Sequence, residues 1–381
     1  MDTIALLLLL LLVGTFVGYP VLVIAAAPAR PRRPDPHARA LPRCSILICA
    51  HNEAARIGDK LASVRTALER AGMPCEILVG DDGSTDETAA IAEAAGVKVV
   101  RCPRGGKAAA LNRLVPMLSG EVVVMTDADP LFDERTLPAL LAPFADPAVG
   151  AVAGRVETIR SRGSRFAAGD ALFRMYESRL RAAEDRLFGC ISADGGLYAI
   201  RTELIPPVPA DVTDDFWIST AAVAAGRRIA FADDARVWEH SIAVGRQQFR
   251  RRLRITVRGL TALWKRRALM NPARTGWYAV GLVLHKVARR LAPLTLLPLW
   301  LVAALLAGRG EIAWLLVFLG MTGAGLLAGL TAATGVRLPA PLRPVHGVML
   351  HLAGLALGAV LFACGRRYSQ WTPKKDAEIA S

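Results

Sequence analysis

EILVGDDGSTDET, residues 76–88, joins a short apolar run to two carboxylates, a glycine and a string of helix-starting residues. A buried strand that ends in Asp81-Asp82-Gly83-Ser84 and turns into a helix near Ser84 or Thr85 fits that order. Working outward, residues 45–50 (SILICA) form a second buried-strand run, followed by an amphipathic helical pattern to about Gly72. Residues 86–95 read as a helix, 97–101 as a short strand and 107–118 as another helix. Residues 121–126 (EVVVMT) are a strand that ends directly in Asp127. Strands alternating with helices predict an α/β domain with a mostly parallel sheet covered on both faces. Ligands of such sheets bind at the carboxyl ends of the strands, where these acidic groups fall.

The flanks differ from this middle. The chain has 381 residues, 53% of them hydrophobic, and the excess sits at its two ends. Residues 4–27 are almost wholly apolar and long enough to span a bilayer. No positive charge precedes them, so a membrane anchor is expected rather than a cleaved signal peptide. Arg30, Arg32, Arg33, Arg39 and Arg43 follow, which places the next segment in the cytosol by the positive-inside rule. Near the other end, residues 291–307, 312–334 and 345–364 are three apolar runs of spanning length. Residues 277–290 mix His285, Lys286, Arg289 and Arg290 with apolar residues, a pattern suited to a helix lying at the headgroups. The tail carries Arg366, Arg367, Lys374 and Lys375, which favours the cytosol, whereas three crossings would put it outside.

The net charge of +14 suits anionic lipid or a phosphorylated substrate. Nucleic-acid signatures are absent from the sequence, and no nucleic-acid partner is expected. Six cysteines include no CxxC pair, which argues against a zinc site and for reduced thiols in a cytosolic domain.

Several groups carry chemistry. Asp81 and Asp82 can accept hydrogen bonds from a base and a ribose, although alone they also read as a turn. Asp127-Ala128-Asp129 turns two carboxylates toward one cation, and oxygen ligands suit Mg²⁺ or Mn²⁺ bridged to phosphate. Gly105-Gly106-Lys107 opens a helix, where glycines let an anion approach and the lysine reaches phosphate. Thr213-Asp214-Asp215 opens another helix, either as an acidic first turn or as the site of a general base. Gln247-Gln248-Phe249 leads into Arg250, Arg251, Arg252 and Arg254, a solvated basic helix or a diphosphate grip.

Taken in order, SILICAHNEAARI, VGDDGSTDET, GGKAAALN, MTDADP, VTDDF and RQQFRRRLR resemble the family 2 glycosyltransferases, in the group with cellulose, chitin and hyaluronan synthases. The resemblance covers residues 42–267. It implies a GT-A, Rossmann-like nucleotide-sugar transferase domain flanked by transmembrane helices, working by an inverting single displacement. It implies that Glu53, Asp81 and Asp82 hold the nucleoside and that Lys107 assists the diphosphate. It implies that Asp127 and Asp129 hold a divalent metal, Mg²⁺ or Mn²⁺, with Asp127 also at the diphosphate. Asp215 becomes the catalytic base, and Asp214, Gln248 and Arg251 join the substrate-binding group. Residues 188–192 (FGCIS) loosely match an acceptor-site segment.

The implied donor is a nucleotide-sugar, a UDP-sugar above others. The implied acceptor is a glycan or lipid-linked glycan, in cell-surface or extracellular polysaccharide synthesis. The alternative is a non-processive transferase that adds one sugar to a lipid. One departure favours that alternative: the synthases' QxxRW has no counterpart, since no Trp follows at the expected place. The expected organisation is an anchor over 1–29, a linker over 30–41, the transferase domain over 42–267, an interfacial segment over 268–290, about three membrane helices over 291–365 and a basic tail over 366–381. The expected location is the inner (plasma) membrane, multi-pass, with membrane lipids as partners and the catalytic domain in the cytosol.

Overall fold

The computed structural model describes residues 1–28, 41–159, 167–240, 246–334 and 343–368. The chain divides into two compact units. One comprises Met1–Ala27, Arg160–Tyr176 and Ser241–Arg367, and the other Pro28–Ile159, Glu177–His240 and Tyr368–Ser381.

The first unit opens with helices α1 (Asp2–Val13) and α2 (Tyr19–Ala26), joined by a π-helical turn over Gly14–Gly18.

The second unit is built on an eight-stranded sheet. In chain order it holds β1 (Cys44–Ala50), α3 (Ala54–Ala71), β2 (Cys75–Asp82), α4 (Thr88–Ala94), β3 (Lys98–Cys102), α5 (Lys107–Leu114), β4 (Val122–Asp127) and β5 (Leu131–Phe132). There follow α6 (Thr136–Leu141), β6 (Val149–Ile159), α7 (Ala167–Leu187, of which this unit holds the part from Glu177), β7 (Tyr198–Arg201), α8 (Asp214–Ala224) and β8 (Arg228–His240). The strand order is β3-β2-β1-β4-β7-β6-β8-β5. The first four strands are parallel, as the apolar runs predict; β7 enters antiparallel to β4 and makes the sheet mixed. Runs such as SILICA lack polar–apolar alternation because both faces are covered, and Ile46, Leu47 and Ile48 are all buried.

Register places the chemistry. Ala50 pairs with Asp81, and Cys49 pairs with Asp127, so the loops after β1, β2 and β4 leave the sheet at one edge. The same register sets Cys44 opposite Cys75. These two form a disulfide with Cα atoms 5.1 Å apart, so the expectation of reduced cysteines fails for this pair; Cys49, Cys102, Cys190 and Cys364 are free thiols.

The first unit resumes with α9 (Arg246–Lys265), α10 (Pro272–Thr275), α11 (Trp277–Leu282), α12 (Arg289–Leu291), α13 (Leu296–Ala307), α14 (Ile312–Thr334) and α15 (Arg343–Ala363). Among the described residues four helical stretches are long and apolar enough to cross a membrane: Asp2–Ala26, Trp277–Ala307, Ile312–Thr331 and His346–Ala363. The segment read as a separate interfacial stretch therefore runs on into the next apolar run as one stretch of 31 residues. Ala5 of α1, Leu299, Ala303 and Leu306 of α13, and Trp314 of α14 form an apolar cluster in this unit. Two polar contacts fasten it: Tyr176 donates to the Phe16 carbonyl at 3.1 Å, and the Trp300 indole donates to Thr322 at 2.9 Å.

Candidate active site

The loops after β1 and β2 are knitted together. Asn52 takes a left-handed backbone, φ 55°, which aims its side chain at the neighbouring loop. Its Oδ1 accepts from the Thr85 N–H at 2.8 Å, while its own N–H donates to Ser84 Oγ at 3.0 Å. The Glu53 N–H donates to Thr88 Oγ1 at 2.8 Å, and the Ala54 N–H to Asp86 Oδ2 at 3.1 Å. Glu53 is buried, with Oε2 3.5 Å from the Arg56 guanidinium. Asp81 is buried too and accepts from the Ser84 N–H at 3.2 Å, closing the turn at Gly83.

Asp82 faces the other way. Its carboxylate accepts from the Gly105 N–H at 2.9 Å, from the Gly106 N–H at 2.9 and 3.0 Å, and from the Arg104 guanidinium. Expected at the nucleoside, Asp82 thus anchors the turn that carries Lys107. Gly106 has φ 84° and ψ 163°, a backbone region open essentially to glycine alone. From the first position of α5, the Lys107 ammonium donates to Asp127 at 2.7 Å and lies 2.7 Å from Asp214. One lysine thus joins the end of β4 to the start of α8.

Gly195 lies beside both Asp127 and Asp215. A Cβ there would stand 3.5 Å from Asp127 Oδ2 and 3.9 Å from Asp215 Oδ2, in van der Waals contact with both acids. Asp215 accepts from the Phe216 N–H at 2.7 Å. Burial, then the charges of Asp214 and Asp194, push its carboxyl up to about 6. Burial also raises Asp127 above the usual carboxylate range, against the pull of Lys107. The two acids raise Lys107 well above an ordinary lysine despite its burial. A group near 6 can take up a proton at neutral pH and still be ionised beforehand, the profile of a general base.

Sequence reasoning missed Lys60. It is fully buried on α3, and its ammonium donates to Thr126 Oγ1 at 2.8 Å and to the Pro130 carbonyl at 2.5 Å. Burial pulls it down to about 7, against the longer-range fields of Asp129, Asp127 and Glu239. A signal existed: position 60 lies on the stripe of Ile57, Leu61 and Val64, which the helical period sends inward.

Gln248 and Arg251, also expected to bind substrate, belong to the other compact unit. Arg251 is exposed on α9, in the other unit. The Gln248 and His240 side chains lie outside the described residues. Within residues 188–192, Cys190 and Ser192 are buried, and the Cys190 N–H donates to the Ile229 carbonyl at 2.8 Å.

With two acidic loops, a glycine-borne lysine and a raised aspartate at one sheet edge, the chain is matched by one family model. Residues 45–199 match Glycosyl transferase family 2. Beta-monoglucosyldiacylglycerol synthase from Nostoc sp. is 38% identical over 133 residues, 32% of this chain and 28% of that protein. Glucosyl-3-phosphoglycerate synthase from Mycolicibacterium smegmatis is 33% identical over 109 residues, 26% of this chain and 35% of that protein. The chain thus spans about a third or less of the length of these relatives. Among solved structures, the mannosyltransferase PcManGT from Pyrobaculum calidifontis, in complex with GDP-Man and Mn²⁺, superposes with a TM-score of 0.68 at 23% identity, covering 96% of this chain and 99% of that one. That likeness shows the fold: the GT-A type of α/β core that the motifs imply.

Proposed function

We propose that the chain is a membrane-bound, inverting glycosyltransferase that moves a sugar from a nucleotide-sugar, a UDP- or GDP-sugar, to the hydroxyl of a lipid or lipid-linked acceptor. The observation that carries this reading is Asp215, a carboxyl near 6, with Gly195 beside both it and Asp127, the partner of Lys107. The family match over residues 45–199 and the fold shared with PcManGT support it. Four apolar stretches of spanning length support membrane attachment, with the catalytic unit on the cytosolic side of the inner membrane, where nucleotide-sugars are made.

The steps follow from charge and geometry. Glu53 and Asp81 line the nucleoside end at the tips of β1 and β2. Lys107 meets the diphosphate, exchanging part of its hold on Asp127 and Asp214 for phosphate oxygens. Asp127 and Asp129 are the residues to hold a divalent cation. Among the described residues no cluster of three or more His, Cys, Asp or Glu forms, so the pair Asp127 and Asp129 would hold the cation through carboxylate oxygens, a donor type that suits Mg²⁺ or Mn²⁺. Such a cation, when bound, neutralises charge on the departing diphosphate. Asp215 takes the proton of the acceptor hydroxyl as that oxygen bonds to the anomeric carbon. The bond from the anomeric carbon to the phosphate oxygen breaks, and the nucleoside diphosphate leaves from the opposite face. One displacement at that carbon inverts it.

Single addition to a lipid is the favoured form. The relatives named beta-monoglucosyldiacylglycerol synthase point that way, as does the absence of a Trp at the QxxRW spacing after the α9 glutamines. Product length in a membrane assay tests it. One added sugar on extracted lipid is the expected product, and a ladder of longer glycans would show a chain-extending synthase instead.

A further inference from the structure

α3 reaches the acidic turn after β4 through three contacts. The Lys60 ammonium donates to Thr126 Oγ1 at 2.8 Å, one residue before Asp127, and to the Pro130 carbonyl at 2.5 Å, one residue after Asp129. Its remaining face lies over the Phe132 ring, 4.1 Å from the centroid. One turn along, Ser63 Oγ accepts from the Phe132 N–H at 3.2 Å and donates back to the Lys60 carbonyl at 2.8 Å. Thr126 passes the connection on, donating to the Gly196 carbonyl at 2.7 Å, next to Gly195, which lies beside both Asp127 and Asp215.

A lysine with none of its surface exposed is costly to keep charged. Among the described residues no carboxylate lies within ion-pair distance of it; its partners are a hydroxyl, a carbonyl and an aromatic face. An apolar side chain would fill the same space at lower cost, so packing alone does not account for the choice. What the ammonium supplies, and an apolar chain would not, is a pair of strong hydrogen bonds that bracket Asp127-Ala128-Asp129.

We propose that Lys60 is a positioning residue: it fastens both ends of the Asp127-Ala128-Asp129 turn from behind and so aims the two carboxylates at the divalent cation of the donor complex. This inference rests on the reading of the site as a metal-assisted glycosyltransferase. Lys60 touches neither substrate nor cation; it acts through Thr126 and Pro130.

The test uses the full chain in detergent and titrates Mn²⁺ in the presence of UDP or GDP, following free Mn²⁺ by its electron paramagnetic resonance signal. Lys60→Met, close to lysine in volume, is expected to weaken Mn²⁺ binding on the order of ten- to a hundred-fold, as loss of a partner that orients metal ligands does. Thr126→Val removes one of the two acceptors and should shift binding the same way by less. In turnover, Lys60→Met should raise the half-saturating Mn²⁺ while activity at saturating Mn²⁺ is largely retained. Thermal unfolding without metal checks that each variant is folded. Unchanged or tighter Mn²⁺ binding by folded Lys60→Met overturns the proposal, tighter binding being what mere removal of a buried positive charge would give. If Lys60→Met does not fold, wild-type Mn²⁺ affinity in Thr126→Val overturns it. If the wild-type protein fails to bind Mn²⁺ in the presence of either nucleotide, the metal-assisted reading of the site falls, and this proposal with it.

Discussion

Asp215 owes its raised carboxyl to burial and to two neighbouring acids, and each consequence has a sign. As a base it must be ionised, so the rate of transfer should fall as pH drops through about 6. Asp215→Asn should cut turnover by roughly 10²- to 10⁴-fold, the usual worth of a general base, and leave nucleotide binding near that of the wild type. Nucleotide binding lost to the same extent would place Asp215 in the donor site. The same substitution should raise the thermal midpoint. A folded-state value near 6, above the ordinary 3.8, means that the folded protein favours the protonated carboxyl, and that this advantage is lost as pH rises through about 6. The gain from Asn should therefore be present at pH 7 to 8 and vanish toward pH 4. Lys107 behaves differently. Lys107→Met leaves Asp127 and Asp214 without the cation between them, so nucleoside diphosphate should bind more weakly, by about ten-fold or more by calorimetry, and the Asp215 carboxyl, which the lysine charge pulls down, should rise further. Part of this residue chemistry was legible. DDGS, DAD, GGK and TDD stood out by type and by their places at strand ends and helix starts, and Lys107 lies 2.7 Å from both Asp127 and Asp214. The contacts of Asp82 and Lys60 were not legible, because their partners are distant in the chain: the glycine turn at 105–106 for Asp82, Thr126 and Pro130 for Lys60.

The elements set how far such chemistry can be aimed. α5 begins on Gly106, whose backbone region few L-residues enter, and Lys107 is its first residue. Gly106→Ala should cost about 1–3 kcal/mol of stability from backbone strain and also loosen nucleotide binding, because the strain falls on the residue that sets Lys107. Chemical denaturation measures the first effect and calorimetry the second; wild-type nucleotide affinity in this variant would show that the turn does not position Lys107. Strands β1, β2 and β4 could be read directly, because parallel strands covered on both faces are nearly continuous apolar runs. The antiparallel half was harder. β6 and β8 pair with register shifts at Val149/Ala151 and Gly154/Arg155, and β6 passes from an unbroken apolar run over 149–154 to polar–apolar alternation over 155–157, so no single pattern marks the strand. β7 is only four residues long, too short to stand out from a loop, yet its antiparallel entry is what makes the sheet mixed. The apolar helices of spanning length were legible as runs of length and hydropathy, but not the continuity of Trp277–Ala307, since its cationic residues interrupt the apolar pattern while the helical stretch carries on.

For the whole molecule, a chain with one α/β unit and one unit holding apolar helices of spanning length is what the proposed transfer of a sugar from water to a lipid would need. The basic composition, net charge +14, fits a protein that works against anionic headgroups and phosphates. The central claim is the transfer itself, and it is tested most directly with membranes from cells expressing the full chain, opened to expose both faces. These are incubated with Mn²⁺ and each of a panel of radiolabelled UDP- and GDP-sugars, and the label is counted in the lipid extract and in the released glycan. Membranes carrying the Asp215→Asn protein are run in parallel, with a further set in excess EDTA. The account predicts that at least one donor labels the product fraction, and that this label falls to background with Asp215→Asn and in EDTA. No donor giving label above the Asp215→Asn background, or full transfer by that variant, would contradict it.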